Sequence, residues 1–227
     1  MDRMPDTHRV KVWDLPTRLF HWLLVGLVAA LCLSGLTGRQ GLHLLLGPMV
    51  LSLLLFRLAW GIVGSRTSRF SDFVKGPRAA LAYLAAARHG AVRSIGHNPL
   101  GAYSVLALLG LLLAQSATGL FASDDIFSQG PLAHLVSSGT VTTLSKLHRL
   151  GFRLLLAFVG LHLAAVAFYR FVKHDDLIGA MITGRKSVPA GIDGIRFRNP
   201  LLALAVLAAC TALVWGTLAA VPPPAAF

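Results

Sequence analysis

Nine histidines occur in the 227 residues, and four of them stand inside or at the lip of long apolar runs: His21, His43, His148 and His162. A neutral imidazole is a common metal ligand, and an ionisable group in such a run is costly enough to mark a functional candidate. The spacing adds a pattern. His148 and His162 bracket "HRLGFRLLLAFVGLH", fourteen residues apart. On a helix that step returns to within roughly 40° of the same face and rises about 21 Å, so both rings share one face at two depths. The same step takes His43 to Arg57 and His21 to Gly35. It places a guanidinium and a missing side chain on the two histidine faces. His8, His89, His97, His134 and His174 fall in tails or loops and read as surface residues.

The elements that carry these residues follow from composition. The chain is 55% hydrophobic and 13% charged, too apolar for a soluble domain of this length. A membrane helix needs roughly 20 predominantly apolar residues. Five runs qualify: about 19–38, 43–64, 99–121, 148–171 and 201–221. Pro48 and Arg57 interrupt the second, which a helix bundle tolerates. The first is too long for a signal-peptide core, lacks a small-residue cleavage site and is read as retained. A short amphipathic stretch, 78–88, is expected to lie on the membrane surface. The fold class is therefore all-α, an integral membrane helical bundle, read as one domain over 1–227.

Charge orients it. Of 21 Lys and Arg, seventeen fall in the N-terminal tail, in 57–98 or in 170–200. Arg39, Lys146, Arg149 and Arg153 fall on the other side. By the positive-inside rule the N-terminus and both long loops face the cytoplasm, and five crossings put the C-terminus in the periplasm. The formal charge of +12 then faces anionic lipid headgroups, without any role for nucleic acid.

With that topology His21 and His162 lie near the cytoplasmic side and His43 and His148 near the periplasmic side. Each depth holds two imidazoles. Zinc would gather four ligands at one point, whereas haem iron takes two across a ring. Gly47 and Gly151, one helical turn from His43 and His148, would admit a flat group. Cys32 and Cys210 lie apart inside the first and fifth runs, and there is no C-x-x-C-H. Any haem would be non-covalent. Arg57 and Arg18 are candidates for haem propionates, with Arg149 and Arg153 at the outer level.

The stretches "VWDLPTRLFHWLLVGLV", "HLLLGPMVLSLLLFRLAWGIVG", "GHNPLG" and "LHRLGFRLLLAFVGLHLAAVAFYRFVKHDDLIGAMITGRK" resemble the prokaryotic cytochrome b561 family over about residues 10–187. That family is related to the b-type cytochrome subunits of nickel-iron hydrogenases. The resemblance implies a four-helix core carrying two b haems that pass electrons across the membrane and exchange them with quinone. It puts the ligands on His21 with His162 and on His43 with His148, the pairing that topology reached independently. The fifth helix, 201–221, lies outside that core and carries no ligand.

The expected function is electron relay between the quinone pool and a periplasmic redox protein in the bacterial inner membrane, as part of a respiratory chain. The alternative is the membrane anchor of a hydrogenase-like oxidoreductase. The short turn at 39–42 leaves little outer docking surface beyond 122–147 and favours the first. Asp124 and Asp125 are the acidic residues of that outer side. Quinone is expected near Tyr169, Arg170, Lys173, His174 and Asp175. No triad, phosphate loop or hydrolase motif is present.

Overall fold

The computed structural model describes residues 7–89, 96–124, 128–189 and 195–221. Asp125 lies outside them. Among the described residues, five helices are long and apolar enough to cross a membrane: α1 (Leu15–Leu36), α2 (Gln40–Val63), α5 (Pro99–Gly119), α6 (Ser138–Phe171) and α8 (Pro200–Ala220). The shorter helices are α3 (Phe70–Phe73), α4 (Pro77–His89) and α7 (Leu177–Thr183). The chain is an all-α integral membrane protein, as its hydropathy implies.

Local chemistry sets the ends. Asp14 precedes α1 and its carboxylate accepts from the Thr17 N–H at 2.9 Å, satisfying one of the donors that a helix start leaves over. Gly38, at φ 69°, turns the chain between α1 and α2; the Arg39 N–H reaches back to the Ser34 carbonyl at 2.8 Å, a glycine-dependent helix stop. α4 forms where the amphipathic stretch stood.

Two features depart from expectation. α6 begins at Ser138, ten residues before the apolar run. Its first turns, "SGTVTTLSK", are polar, so hydropathy located where lipid begins and not where the helix does. Ser137 supplies the start, accepting from the Thr140 N–H. The second departure is a two-stranded antiparallel sheet, β1 (Thr7–Lys11) with β2 (Arg185–Pro189), in which Val10 pairs with Lys186 and His8 with Val188. Val10, Val12, Trp13, Ala180 and Val188 are buried together, with Met181 packed against them. Hydrogen-bonded strands must lie on one side of a bilayer, and four spanning helices separate these two.

The chain groups into two compact units. One comprises 1–19, 58–106 and 160–203; the other comprises 20–57, 107–159 and 204–227. The first has a dense polar centre. Asp14, 2% exposed, accepts from the Trp60 indole at 3.1 Å and the Ser68 hydroxyl at 3.3 Å as well as from Thr17. Thr17 and Ser68 share a hydroxyl contact at 2.6 Å, and Thr67 donates to the Val12 carbonyl. The second unit encloses a cavity instead.

Candidate cofactor site

His43 projects from α2 and His148 from α6, and both line a cavity of about 570 Å³ in the second unit, within the range of small-molecule and cofactor sites. Their ring centres are 6.2 Å apart and their planes cross at 87°. A metal–imidazole bond is about 2.0–2.1 Å and an imidazole nitrogen lies about 1.1 Å from its ring centre, so two imidazoles on opposite sides of one metal have centres roughly 6.3 Å apart. The observed separation fits that span.

The back of each ring is held in the same way. His43 Nδ1 lies 3.0 Å from the Leu31 carbonyl and 3.3 Å from the Ser34 hydroxyl. His148 Nδ1 lies 3.0 Å from the Gln115 carbonyl and 3.3 Å from the Thr118 hydroxyl. A carbonyl can only accept, so the proton sits on Nδ1 and Nε2 keeps its lone pair. Among the described residues no hydrogen bond reaches Nε2 of either ring.

The glycines have separate tasks. A Cβ on Gly35 would stand 3.3 Å from the His43 ring, and one on Gly119 would stand 2.9 Å from His148 Cε1. The flat ring that approaches Gly35 is thus the His43 imidazole. Gly47 faces open space on the cavity wall. Gly151 makes room for Gln115, which donates from its amide to the His148 carbonyl at 3.0 Å. Gly119, Ser34, Thr118 and Gln115 also contact the two rings or their supports, and histidine spacing alone does not single them out. The available signal was that Ser34-Gly35 and Thr118-Gly119 repeat the pairing of a small hydroxyl residue with glycine.

The other expected residues fall as follows. His21, half-buried on α1, stands edge-on to Trp22 with ring centres 5.0 Å apart. His162, half-buried on α6, belongs to the other unit. Arg57 is 3% exposed on α2, and α2 is the most enclosed long helix, with 44% of its most apolar window buried against 6–17% in the others. Arg18 donates to the Met181 and Ile182 carbonyls at the end of α7, beside Gly184 at φ 75°. Arg149, Arg153 and Asp124 line the cavity of His43 and His148. His97, expected on the surface, packs between Trp13 and Phe73 at 4.7 and 4.4 Å.

Around the end of α6 the polar groups are interlinked. The Tyr169 hydroxyl meets the Tyr83 hydroxyl at 3.0 Å and accepts from the Asn98 amide at 2.8 Å. Asp175 pairs with Lys186 at 2.7 Å, and Arg170 with Asp176 at 3.5 Å. Burial, then the bond to Tyr169 and the nearby Asp175 charge, raise the Tyr83 pKa, so its phenol stays neutral at ordinary pH.

No group of three or more His, Cys, Asp or Glu among the described residues could hold a bare metal ion. Two imidazoles one metal-width apart on a largely apolar cavity wall would suit a metal carried within a planar cofactor, as in a membrane cytochrome. Residues 12–184 match the sequence pattern of prokaryotic cytochrome b561. A protein described as a probable Ni/Fe-hydrogenase 1 B-type cytochrome subunit of Escherichia coli (strain K12) is 26% identical over 213 residues, covering 78% of this chain and 90% of that protein. Its counterpart in Escherichia coli O157:H7 matches equally. No solved structure is significantly similar. The chain belongs to the prokaryotic cytochrome b561 family. It is accordingly a multi-pass bacterial membrane protein of a b-type cytochrome family, whose work is electron transfer.

Proposed function

We propose that this chain relays electrons through two non-covalent b haems between the quinone pool and a periplasmic redox protein, within the inner membrane of a respiring bacterium. The observation that carries the reading is the His43–His148 pair: two imidazoles one metal-width apart, each with its Nδ1 held by a backbone carbonyl. When bound, a b haem would supply one-electron chemistry, and the chain's part is to hold and orient it. His43 and His148 hold the outer haem; His21 and His162 hold the inner one, on the strength of the family pattern and their matched depth. Gly35 and Gly47 keep room along the outer pair, and Gly151 does so through Gln115. Arg57 offers a buried guanidinium fork to a carboxylate, the chemistry of a haem propionate. Arg18, already engaged with two carbonyls, has a weaker claim to such a role. The basic segments support a cytoplasmic N-terminus and α6–α7 end and a periplasmic C-terminus. Quinone is then read at that cytoplasmic end, where Tyr169, Tyr83, Asn98 and Asp175 gather groups able to hold or pass protons.

The test is a pyridine haemochrome assay on the purified full chain, with two b haems per chain expected; one or none would overturn the reading. In oriented vesicles, added quinone should reoxidise the haems of the wild type and fail to do so after His21→Ala.

A second reading, the membrane anchor of a hydrogenase-like enzyme, is favoured by the similarity to the Escherichia coli subunit over 90% of its length. Co-purification from native membranes separates the two. An iron-sulfur subunit retained in stoichiometric amount supports the anchor, and a haem protein or no partner supports the relay.

A further inference from the structure

The clamps on His43 and His148 are built from one repeated device. On α1, Leu31 presents a carbonyl and Ser34, three residues on, presents a hydroxyl; on α5, Gln115 and Thr118 do the same. Ring distances agree at both sites, 3.0 Å to the carbonyl and 3.3 Å to the hydroxyl. Each hydroxyl spends its own hydrogen on a carbonyl. Ser34 donates to Leu31 at 3.1 Å; Thr118 is 2.8 Å from the Ala114 carbonyl and 3.1 Å from that of Gln115. The oxygen lone pairs are therefore left to face Nδ1–H. Each ring proton is shared between two acceptors, and the glycine that follows each hydroxyl residue lets the ring come this close.

We infer that Ser34 and Thr118 are positioning residues that set both the basicity and the rotation of the two imidazoles at this level. The inference rests on His43 and His148 being haem ligands. An acceptor on Nδ1–H makes an imidazole a stronger electron donor through Nε2. A stronger donor favours ferric over ferrous iron and so holds the midpoint potential down. The two bonds to each Nδ1 also fix the direction of its ring plane, and the two planes stand 87° apart. Crossed axial planes leave the iron d orbitals nearly degenerate, which gives ferric low-spin iron a strongly anisotropic electron paramagnetic resonance signal with a large leading g value. Parallel planes give an ordinary rhombic one.

The experiment uses purified full-length protein carrying Thr118→Val, which keeps the shape and removes the oxygen, Ser34→Ala, and both together, with Thr118→Ser as the variant that keeps a hydroxyl. Haem content, a potentiometric titration and the ferric resonance spectrum are read on each. One of the two midpoints should rise in each single variant and rise further in the double, with the anisotropic signal altered and the other haem unmoved, while Thr118→Ser stays at wild type. Haem-loaded Thr118→Val and Ser34→Ala proteins with unchanged midpoints and spectra would overturn the proposal. If Thr118→Val fails to take up the haem, retention in Thr118→Ser supports the hydroxyl's role, and loss in both reduces position 118 to packing and overturns it. Failure of the underlying reading looks different: a folded His43→Ala protein that keeps both haems removes His43 as a ligand, whatever the hydroxyls do.

Discussion

The two compact units bury polar groups in opposite ways. In the first, the Asp14 carboxylate receives a backbone amide, an indole and a hydroxyl, and the hydroxyls around it bond to one another. Nothing there waits for a ligand. In the second, each imidazole is anchored at one nitrogen and, among the described residues, left without a hydrogen bond at the other, on a cavity wall. A fully bonded buried group stabilises a fold, whereas a half-bonded one beside a cavity presents a donor to an occupant. The contrast distinguishes polar residues that hold the chain together from those that hold something else.

The comparison breaks most sharply at His43. On the proposed two-haem reading, His43→Ala should lower the haem count from two to one per chain while the protein stays folded, because only one of the two proposed ligand pairs is lost; pyridine haemochrome and redox titration read this directly. A folded variant devoid of both haems would refute two independent levels.

Asp14→Ala tests the other unit. It orphans the Trp60 and Thr17 donors, and each buried group left unsatisfied costs about 1–3 kcal/mol. The thermal midpoint in detergent should fall, with haem content unchanged in the folded fraction. An unchanged midpoint would mean that the cluster contributes nothing net.

The glycines give a graded test. Gly119→Ala drives a methyl to 2.9 Å from the His148 ring, while Gly35→Ala reaches only 3.3 Å from His43. Overpacking costs typically about 1–3 kcal/mol. The first variant should therefore lose occupancy of one haem and the second keep most of it. Equal occupancy in the two would show that the rings move aside.

The smallest effect is expected at Tyr83. Its pKa is raised in the folded protein, so the folded state binds that proton more tightly than the unfolded one. The resulting stability is fully present below the ordinary tyrosine pKa of about 10 and is lost as pH rises above it. Tyr83→Phe should flatten that alkaline decline, and removing one hydrogen bond at a part-exposed site should cost about 0.5–1 kcal/mol at neutral pH. Thermal unfolding at pH 7 and above pH 10 reads both.

What was legible in the sequence was what depends on long runs. Five apolar segments gave five helices, because lipid demands length and hydrophobicity together. Apolar runs marked out His21, His43, His148 and His162, and topology matched His43 with His148 and His21 with His162, because depth along a helix is additive. Contacts closed by a single atom were not legible. Ser34 and Thr118 look like any small residue in an apolar helix, and Arg18 reads the same whether it meets a propionate or the carbonyls ending α7. Nor was the strand pair, since five-residue strands separated by the whole four-helix core leave no local pattern.

That strand pair also orders events in time. At about 5–20 residues per second, a ribosome delivers Val188 roughly ten to thirty-five seconds after Val10. Through that interval β1 stays on its own side of the membrane without a partner while four helices are threaded and released. Any even number of crossings returns β2 to that face, so a single failed insertion among the four helices would leave it on the other. The closing of two short strands is therefore a late check on the parity of the crossings, and a chain that missed one of them would be left with an unpaired strand edge.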